Sequence, residues 1–405
     1  MLKSVGIKNF RSCHETNFEF GRGLRAICGR NGVGKSNILK AIEWACSTAI
    51  SAEGVKLAPA GNTKNDPGDT SIQFEIVLDD LTYYYNLQVS AYNRLQLNPR
   101  LLGSHGLLES LELDDGGHRQ DIFRRQGEAI TLGDMPDIRI ARTTPALAAL
   151  FSLLTSDHPY RNHIDRIMSF FGGIRYYSLL DDRPDARDYV TELAYNEWKF
   201  RYESEGALTS SLAMRLIYMW QEQPELFGEL ITILGPDGLD IIEHIDIVPI
   251  DQTGPLGTPK DGAALNIKLF IPRLKPAAHM GGAGGYFSFS ELSIGTRRVV
   301  RIIASMLFDK RSLMLMEQPE DSIHPGLLRK LIDQLRTYSY DTQMLFTTHS
   351  LEVLDILHPE EVLLATATGG STKLRNLSQD QIARAKVFLQ NEGSLSDFLE
   401  PLDDL

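Results

Sequence analysis

The segment Cys28-Gly29-Arg30-Asn31-Gly32-Val33-Gly34-Lys35-Ser36-Asn37 constrains this chain more than any other part of it. It matches G-x-x-x-x-G-K-S, and it lies between a strand-like run, Leu24–Cys28, and an amphipathic helix continuing over Ile38–Ala45. That order of strand, loop and helix is what a phosphate-binding loop requires. Glycines let backbone N–H groups close around phosphate oxygens, and the helix N-terminus adds the positive end of its dipole. Lys35 then reaches the β- and γ-phosphates of a nucleotide, and Ser36 offers its hydroxyl to Mg²⁺. Gly29, Asn31, Gly32, Gly34, Lys35, Ser36 and Asn37 are therefore the first candidate nucleotide-binding residues.

Further along, Leu313-Met314-Leu315-Met316 is a continuous apolar run of the kind found in buried parallel strands, and it ends in Glu317-Gln318-Pro319-Glu320. A carboxylate on a strand tip fits a Walker B position. Glu317 stands where an aspartate usually completes the Mg²⁺ shell, and Gln318 where a glutamate would polarise the attacking water. A carboxamide can hydrogen-bond that water but cannot take its proton, so general-base assistance of about 10²–10⁴-fold is expected to be missing. A second buried strand, Gln343–Thr347, ends in Thr348-His349-Ser350 and places His349 at the same sheet edge as a γ-phosphate sensor. Glu317, Gln318 and His349 form the expected catalytic set. Glu291-Leu292-Ser293-Ile294-Gly295-Thr296-Arg297-Arg298 precedes a helix with the stripe Val299, Ile302, Ile303 and Met306, for which Ser293 is a natural N-cap.

In this order the phosphate loop, Leu-Ser-x-Gly-Thr, Walker B and His349 resemble the ABC-type ATPase heads of the SMC, RecF and OLD (overcoming-lysogenization-defect) groups. Ile7-Lys8-Asn9-Phe10-Arg11-Ser12 resembles their N-terminal strand signature, and Glu317–Pro325 their E-E-P-E-x-x-x-H-P stretch. The resemblance implies an α/β P-loop ATPase head with a mainly helical insertion, using ATP and Mg²⁺. It implies that Arg11 lies near the nucleotide. Ser293, Gly295 and Thr296 would belong to a signature loop acting on ATP held by a second copy in a head-to-tail dimer. Asp321–His324 would lie at the dimer seam. Arg125-Gln126-Gly127-Glu128 resembles a Q-loop, which would make Gln126 a metal contact; a surface turn is the other reading. Long coiled-coil arms and a C-terminal Toprim nuclease are not recognisable. The chain resembles most the stand-alone ATPases of this group, which act with a separate effector such as a nuclease or toxin in bacterial phage-defence modules.

The expected organisation is an N-terminal part of the head over 1–140, the insertion over 141–240, a C-terminal part over 241–365 and a strand–helix tail over 366–405. Short strands are expected at 3–9 and 17–20, and a hairpin of Thr70–Leu78 and Thr82–Val89 turns at Asp79-Asp80. The helical stretches are Leu147–Leu154, Ile164–Phe171, Ser211–Gln223 and Glu225–Leu234, with a strand at Ile174–Ser178. Strand patterns return at Ile241–Ile250 and Leu265–Ile271, before a glycine cluster at Gly281, Gly282, Gly284 and Gly285. Charge weighs on the partners: 41 basic and 53 acidic residues give −12 over 405 residues, which argues against a broadly basic nucleic-acid surface. An SMC-like DNA-repair ATPase and an ATP-binding scaffold with negligible turnover are the alternatives. Three cysteines, Cys13, Cys28 and Cys46, cannot pair evenly, so a reducing cytoplasm is expected. No apolar run approaches the ~18 residues of a membrane span, so no membrane partner is expected.

Overall fold

The computed structural model describes residues 1–54, 68–89, 107–133, 135, 137–178, 189–205, 211–253, 266–280, 285–309 and 312–399. Gly281, Gly282 and Gly284 of the glycine cluster lie outside them. The chain forms two compact units: Met1–Ser178 with Arg311–Pro319 and Leu335–Leu405, and Leu179–Lys310 with Glu320–Gln334.

The first unit starts with β1 (Leu2–Phe10), β2 (Cys13–Glu19), β3 (Leu24–Cys28) and α1 (Lys35–Ala49). Then come β4 (Thr70–Leu78), β5 (Leu81–Val89), β6 (Leu107–Asp115), β7 (His118–Gln126), β8 (Ala129–Thr131) and β9 (Ile138–Arg139). An eight-stranded antiparallel sheet collects these in the order β2-β1-β4-β5-β6-β7-β8-β9. Its strands alternate as a sheet with one covered face must: Ile72, Phe74 and Ile76 of β4 are buried with Tyr83, Tyr85 and Leu87 of β5. Asp79 and Asp80 carry φ of 47° and 65°, the two-residue geometry that suits the right-handed twist of a hairpin.

Helices α2 (Ala146–Leu153) and α3 (Arg161–Gly172) lead into β10 (Ile174–Ser178). In the second unit follow β11 (Val190–Thr191), α4 (Glu192–Glu205), α5 (Leu212–Glu222), α6 (Pro224–Leu234), β12 (Ile242–Thr253), β13 (Asn266–Pro276) and α7 (Ile294–Phe308). Its sheet has the order β11-β13-β12. The remaining elements are β14 (Leu313–Glu317), α8 (Pro325–Tyr338), β15 (Gln343–Thr348), α9 (Leu351–Ile356), β16 (Val362–Thr368), β17 (Ser371–Asn376), α10 (Gln379–Asn391) and α11 (Leu395–Leu399).

A six-stranded sheet runs β10-β14-β15-β3-β16-β17, parallel except for β17. Every residue of β14 and β15 is buried, which explains the apolar runs Leu313–Met316 and Met344–Phe346 at their centres. Two expected boundaries move. Residues 141–240 do not fold as one insertion, because β10 pairs in parallel with β14 and Ile164, Ile167 and Phe171 of α3 join the core of the first unit. The 365/366 boundary falls inside β16, and β17 closes the edge of the six-stranded sheet rather than trailing from it.

Candidate functional site

The carboxyl ends of β3, β14 and β15 lie side by side, since their registers pair Thr348 with Cys28 and Glu317 with Thr347. This is the sheet edge where parallel α/β folds bind ligands. Gly29, Gly32 and Gly34 have φ of 154°, 83° and 97°. A Cβ on Gly34 would overlap Thr372 Oγ1 and Ser12 Oγ, so glycine is required there for space as well as for conformation. The N-terminus of α1 receives no side-chain cap, which leaves its first amides for another acceptor. Lys35 is 5% exposed, and its ammonium donates to the carbonyls of Gly29 (2.6 Å) and Arg30 (2.9 Å) across the loop.

Asn37 follows Ser36 on the helix and links the loop to the β1–β2 turn. Its Oδ1 accepts from Arg11 Nη1 at 3.3 Å, and its Nδ2 donates to Ser12 Oγ at 2.8 Å. Arg11 itself has φ 52°, a turn conformation that aims its side chain back at α1. Asn31 lines a cavity of about 180 Å³ with Gly29, Arg30, Thr348 and His349.

At the tip of β14, Glu317 is 6% exposed. Burial alone would raise its carboxyl, but hydrogen bonds from Ser36 and Tyr176 and the Lys40 ammonium at 3.7 Å hold it below its usual range. Ser36 and Glu317 thus present a hydroxyl and an ionised carboxylate side by side, a hard oxygen donor set that fits Mg²⁺, which takes its remaining ligands from water and phosphate. Gln318 sits at φ 48°, and its backbone N–H donates to Thr347 O at 3.0 Å. Its carboxamide nitrogen is 2.8 Å from Nδ1 of the exposed His349. Glu317, Gln318 and His349 are therefore gathered at one edge with Lys35, Ser36, Asn37 and Arg11.

Ser293, Gly295 and Thr296 form a local structure in the second unit. Ser293 caps α7, its Oγ accepting from Thr296 N at 3.2 Å and lying 2.8 Å from Thr296 Oγ1. A Cβ on Gly295 would overlap Ser322 O, so the first turn of α7 packs against the 320–324 turn at backbone distance. Arg298 adds a hydrogen bond to Asp321 O. Gln126 goes elsewhere. It lies exposed at the end of β7 and lines a surface cleft with Asp121, Arg124, Thr131, Gly133 and Asp137, not the cavity beside the phosphate loop. Its neighbour Arg125 is the buried one, donating to the carbonyls of Gly127, Ala141, Arg142 and Thr144.

Two residues that touch the site escaped the sequence. Lys40 lies one helical turn beyond Ser36, a spacing that could have revealed it. Tyr176, whose hydroxyl donates to Glu317 Oε2, gives no such signal, because only the β10–β14 register brings it there. Burial and then the Glu317 carboxylate raise its phenol well above the usual tyrosine value.

A parallel sheet with a phosphate loop, a strand-tip carboxylate and a histidine on the next strand defines a P-loop nucleotide-binding fold. The family described as "AAA domain" matches residues 4–128, and the one described as "AAA domain, putative AbiEii toxin, Type IV TA system" matches residues 268–355. The DNA double-strand break repair Rad50 ATPase of Methanococcus maripaludis is 26% identical over 157 residues, 33% of this chain and 14% of that protein. Its Archaeoglobus fulgidus counterpart is 46% identical over 66 residues, 16% of this chain and 6% of that protein. The matched segments thus span well under a fifth of these relatives. An SMC head solved with the C-winged helix domain of ScpA aligns over 95% of this chain and 99% of its own, with 14% identity and a TM-score of 0.49. In these segments the chain is similar to AAA-family domains and to the ATPases of the Rad50 kind. Among the described residues no helix is long and apolar enough to cross a membrane.

Proposed function

We propose that this chain binds and slowly hydrolyses ATP, pairs head to tail with a second copy around Mg-ATP, and uses its nucleotide state to control a separate effector. The observation that carries the reading is the meeting of Lys35, Ser36, Glu317, Gln318 and His349 at the carboxyl edge of one parallel sheet. Lys35 and the amides of the loop bind the β- and γ-phosphates, Ser36 and Glu317 hold Mg²⁺, and His349 orients Gln318 beside the γ-phosphate. Mg²⁺ in that place neutralises phosphate charge. Gln318 can position a water but holds no proton-accepting charge, so turnover is slow. Ser293 and the N-terminus of α7 supply N–H donors and positive potential to the γ-phosphate of the partner copy. The role we assign is bacterial anti-phage defence in the cytoplasm, with a separate nuclease or toxin as effector; the match of residues 268–355 to a family described as a putative AbiEii toxin of a Type IV TA system supports the toxin-linked part of that reading. Of the helical stretch expected over residues 145–236, the part in the second unit, α4 to α6, is its docking element. The Rad50 relatives support the alternative of a DNA-repair head, which a salt-dependent DNA affinity would favour.

Calorimetry and light scattering test this together. Lys35→Ala should abolish ATP binding, and unchanged affinity would remove the reading. Wild type should dimerise with Mg-ATP, while Ser293→Arg should bind ATP as a monomer. The same ATP-dependent dimer in both would contradict the head-to-tail arrangement.

A further inference from the structure

Around Gly34 a file of hydrogen bonds joins the phosphate loop to the C-terminal hairpin. Thr372, on β17, is fully buried, and its Oγ1 donates to Val33 O at 2.7 Å. A threonine hydroxyl has one proton, so its 2.7 Å contact with Ser12 Oγ must be donated by Ser12. Ser12 has then spent its own proton, and its oxygen accepts from Asn37 Nδ2 at 2.8 Å. Arg11 donates to the other end of the Asn37 amide. Every direction in the series is thereby fixed: Arg11 to Asn37, Asn37 to Ser12, Ser12 to Thr372, Thr372 to the carbonyl of Val33. Hydrogen bonds in such a series strengthen one another.

The backbone of Thr372 is itself held on both sides, its N–H donating to Ser12 O at 2.8 Å and its carbonyl accepting from Thr16 Oγ1 at 2.7 Å. The hydroxyl is therefore presented at a fixed place. In a planar trans peptide the carbonyl and the next N–H point in opposite directions. Holding Val33 O toward Thr372 turns the Gly34 N–H away from it. Gly34 has no Cβ and φ 97°, so its own sterics leave that peptide plane poorly defined.

We propose that Thr372 is a positioning residue for nucleotide binding: through Ser12 and the Val33 carbonyl it sets the peptide plane that aims the Gly34 amide at phosphate. The inference rests on the nucleotide reading above and deepens it, adding a residue from a hairpin that carries no nucleotide motif.

The test is ATP binding by calorimetry on the full chain with Mg²⁺, with amide hydrogen exchange of the peptide containing residues 29–37. Thr372→Val keeps the shape and removes the hydroxyl; Thr372→Ser keeps the hydroxyl. Thr372→Val should weaken ATP binding about tenfold, the loss of one buried hydrogen bond, and speed exchange in the loop. Thr372→Ser should stay within about threefold of wild type. ATP affinity unchanged in Thr372→Val while Lys35→Ala abolishes binding would overturn the inference and leave the nucleotide reading standing. Equal losses in the Val and Ser variants would also overturn it, since shape and not the hydroxyl would then matter. Unchanged affinity in Lys35→Ala would overturn the nucleotide reading itself. Should Thr372→Val fail to fold, Ser12→Ala breaks the same series from its other side, and wild-type affinity and loop exchange there would count against the proposal.

Discussion

Helices α1 and α2 both begin inside the first unit, and both begin without a cap from their own N-cap residue, yet their free amides are treated in opposite ways. At α2 the protein supplies its own anion. Glu109, buried in β6, accepts from Ala146 N at 2.6 Å, Leu147 N at 3.0 Å and Tyr85 Oη at 2.8 Å, with the Arg125 guanidinium beside it. At α1 a glycine loop takes the place of such a carboxylate, and the nearby Glu317 is engaged by Ser36, Tyr176 and Lys40. A helix N-terminus attracts negative charge wherever it occurs. What separates a structural joint from a ligand site is whether the chain has already filled it.

Removing the filled end should therefore cost folding, and removing charge at the open end should cost chemistry. Glu109→Ala leaves two helix amides and a tyrosine hydroxyl without their common acceptor, and removes the negative charge beside the buried Arg125 guanidinium. We expect a loss of about 3–5 kcal/mol in urea unfolding, with nucleotide affinity of the folded fraction unchanged. A loss below about 1 kcal/mol would mean that this joint is not what secures α2. The sign of its pH dependence follows from burial, which raises the Glu109 carboxyl against the hydrogen bonds from Leu147, Ala146 and Tyr85 and the Arg125 charge. A folded-state value above the unfolded one contributes stability that is full below the unfolded value and lost as pH rises through the folded one. The advantage of wild type over Glu109→Gln should thus grow as pH falls from neutrality toward the usual carboxylate value of 4.5. Paired unfolding curves at several pH values would expose a constant gap, which would contradict this.

At the open end the largest effect falls on rate. Gln318→Glu should raise kcat about 10²-fold or more by restoring a proton acceptor, while the unfolding midpoint moves little because the half-buried Gln318 side chain reaches out to the exposed His349. His349→Ala in that background should lower kcat again. Equal turnover in wild type and in the Gln318→Glu variant would send the search for a base elsewhere, with Glu320 first.

The two helix ends were not equally legible. Glycines, lysine and serine around α1 announce themselves because phosphate chemistry demands those types in a contiguous order. The tips of β14 and β15 were readable because parallel strands buried on both faces carry apolar runs, Leu313–Met316 and Met344–Phe346, directly before them. Glu109 was hidden by the opposite logic: in the alternation of Leu107, Leu111 and Leu113 it occupies an inward position that the pattern reserves for an apolar residue. Its partners come from residues far along the chain, as do those of Thr372, and no local spacing encodes them. Helix α4 was missed because its apolar residues point to several sides, leaving both Leu193 and Phe200 exposed. The Arg125–Glu128 resemblance put weight on Gln126, whereas burial selects Arg125.

Tyr176 offers the smallest and sharpest version of the contrast, since like Tyr85 it donates its hydroxyl to a buried carboxylate, but it serves the open helix end. Its hydroxyl holds one oxygen of Glu317, and Ser36 and Lys40 also engage that carboxylate, so losing one of three interactions should neither unfold the protein nor abolish binding. What should change is the orientation of the carboxylate toward Mg²⁺. Tyr176→Phe keeps the ring in β10 and removes the donor alone. A hydrogen bond to a charged group contributes about 1.5–3 kcal/mol, with the other two partners absorbing part of its loss, so the Mg²⁺ concentration needed for half-maximal ATP binding should rise about three- to tenfold. ATP affinity at saturating Mg²⁺ should stay near wild type, because Lys35 and the loop amides are untouched. A Mg²⁺ titration followed by nucleotide fluorescence separates the cases. If Tyr176→Phe titrates as wild type, the tyrosine merely fills the β10 edge and belongs with the structural residues around α2; if ATP affinity falls at every Mg²⁺ concentration, its effect passes through the loop rather than through Glu317.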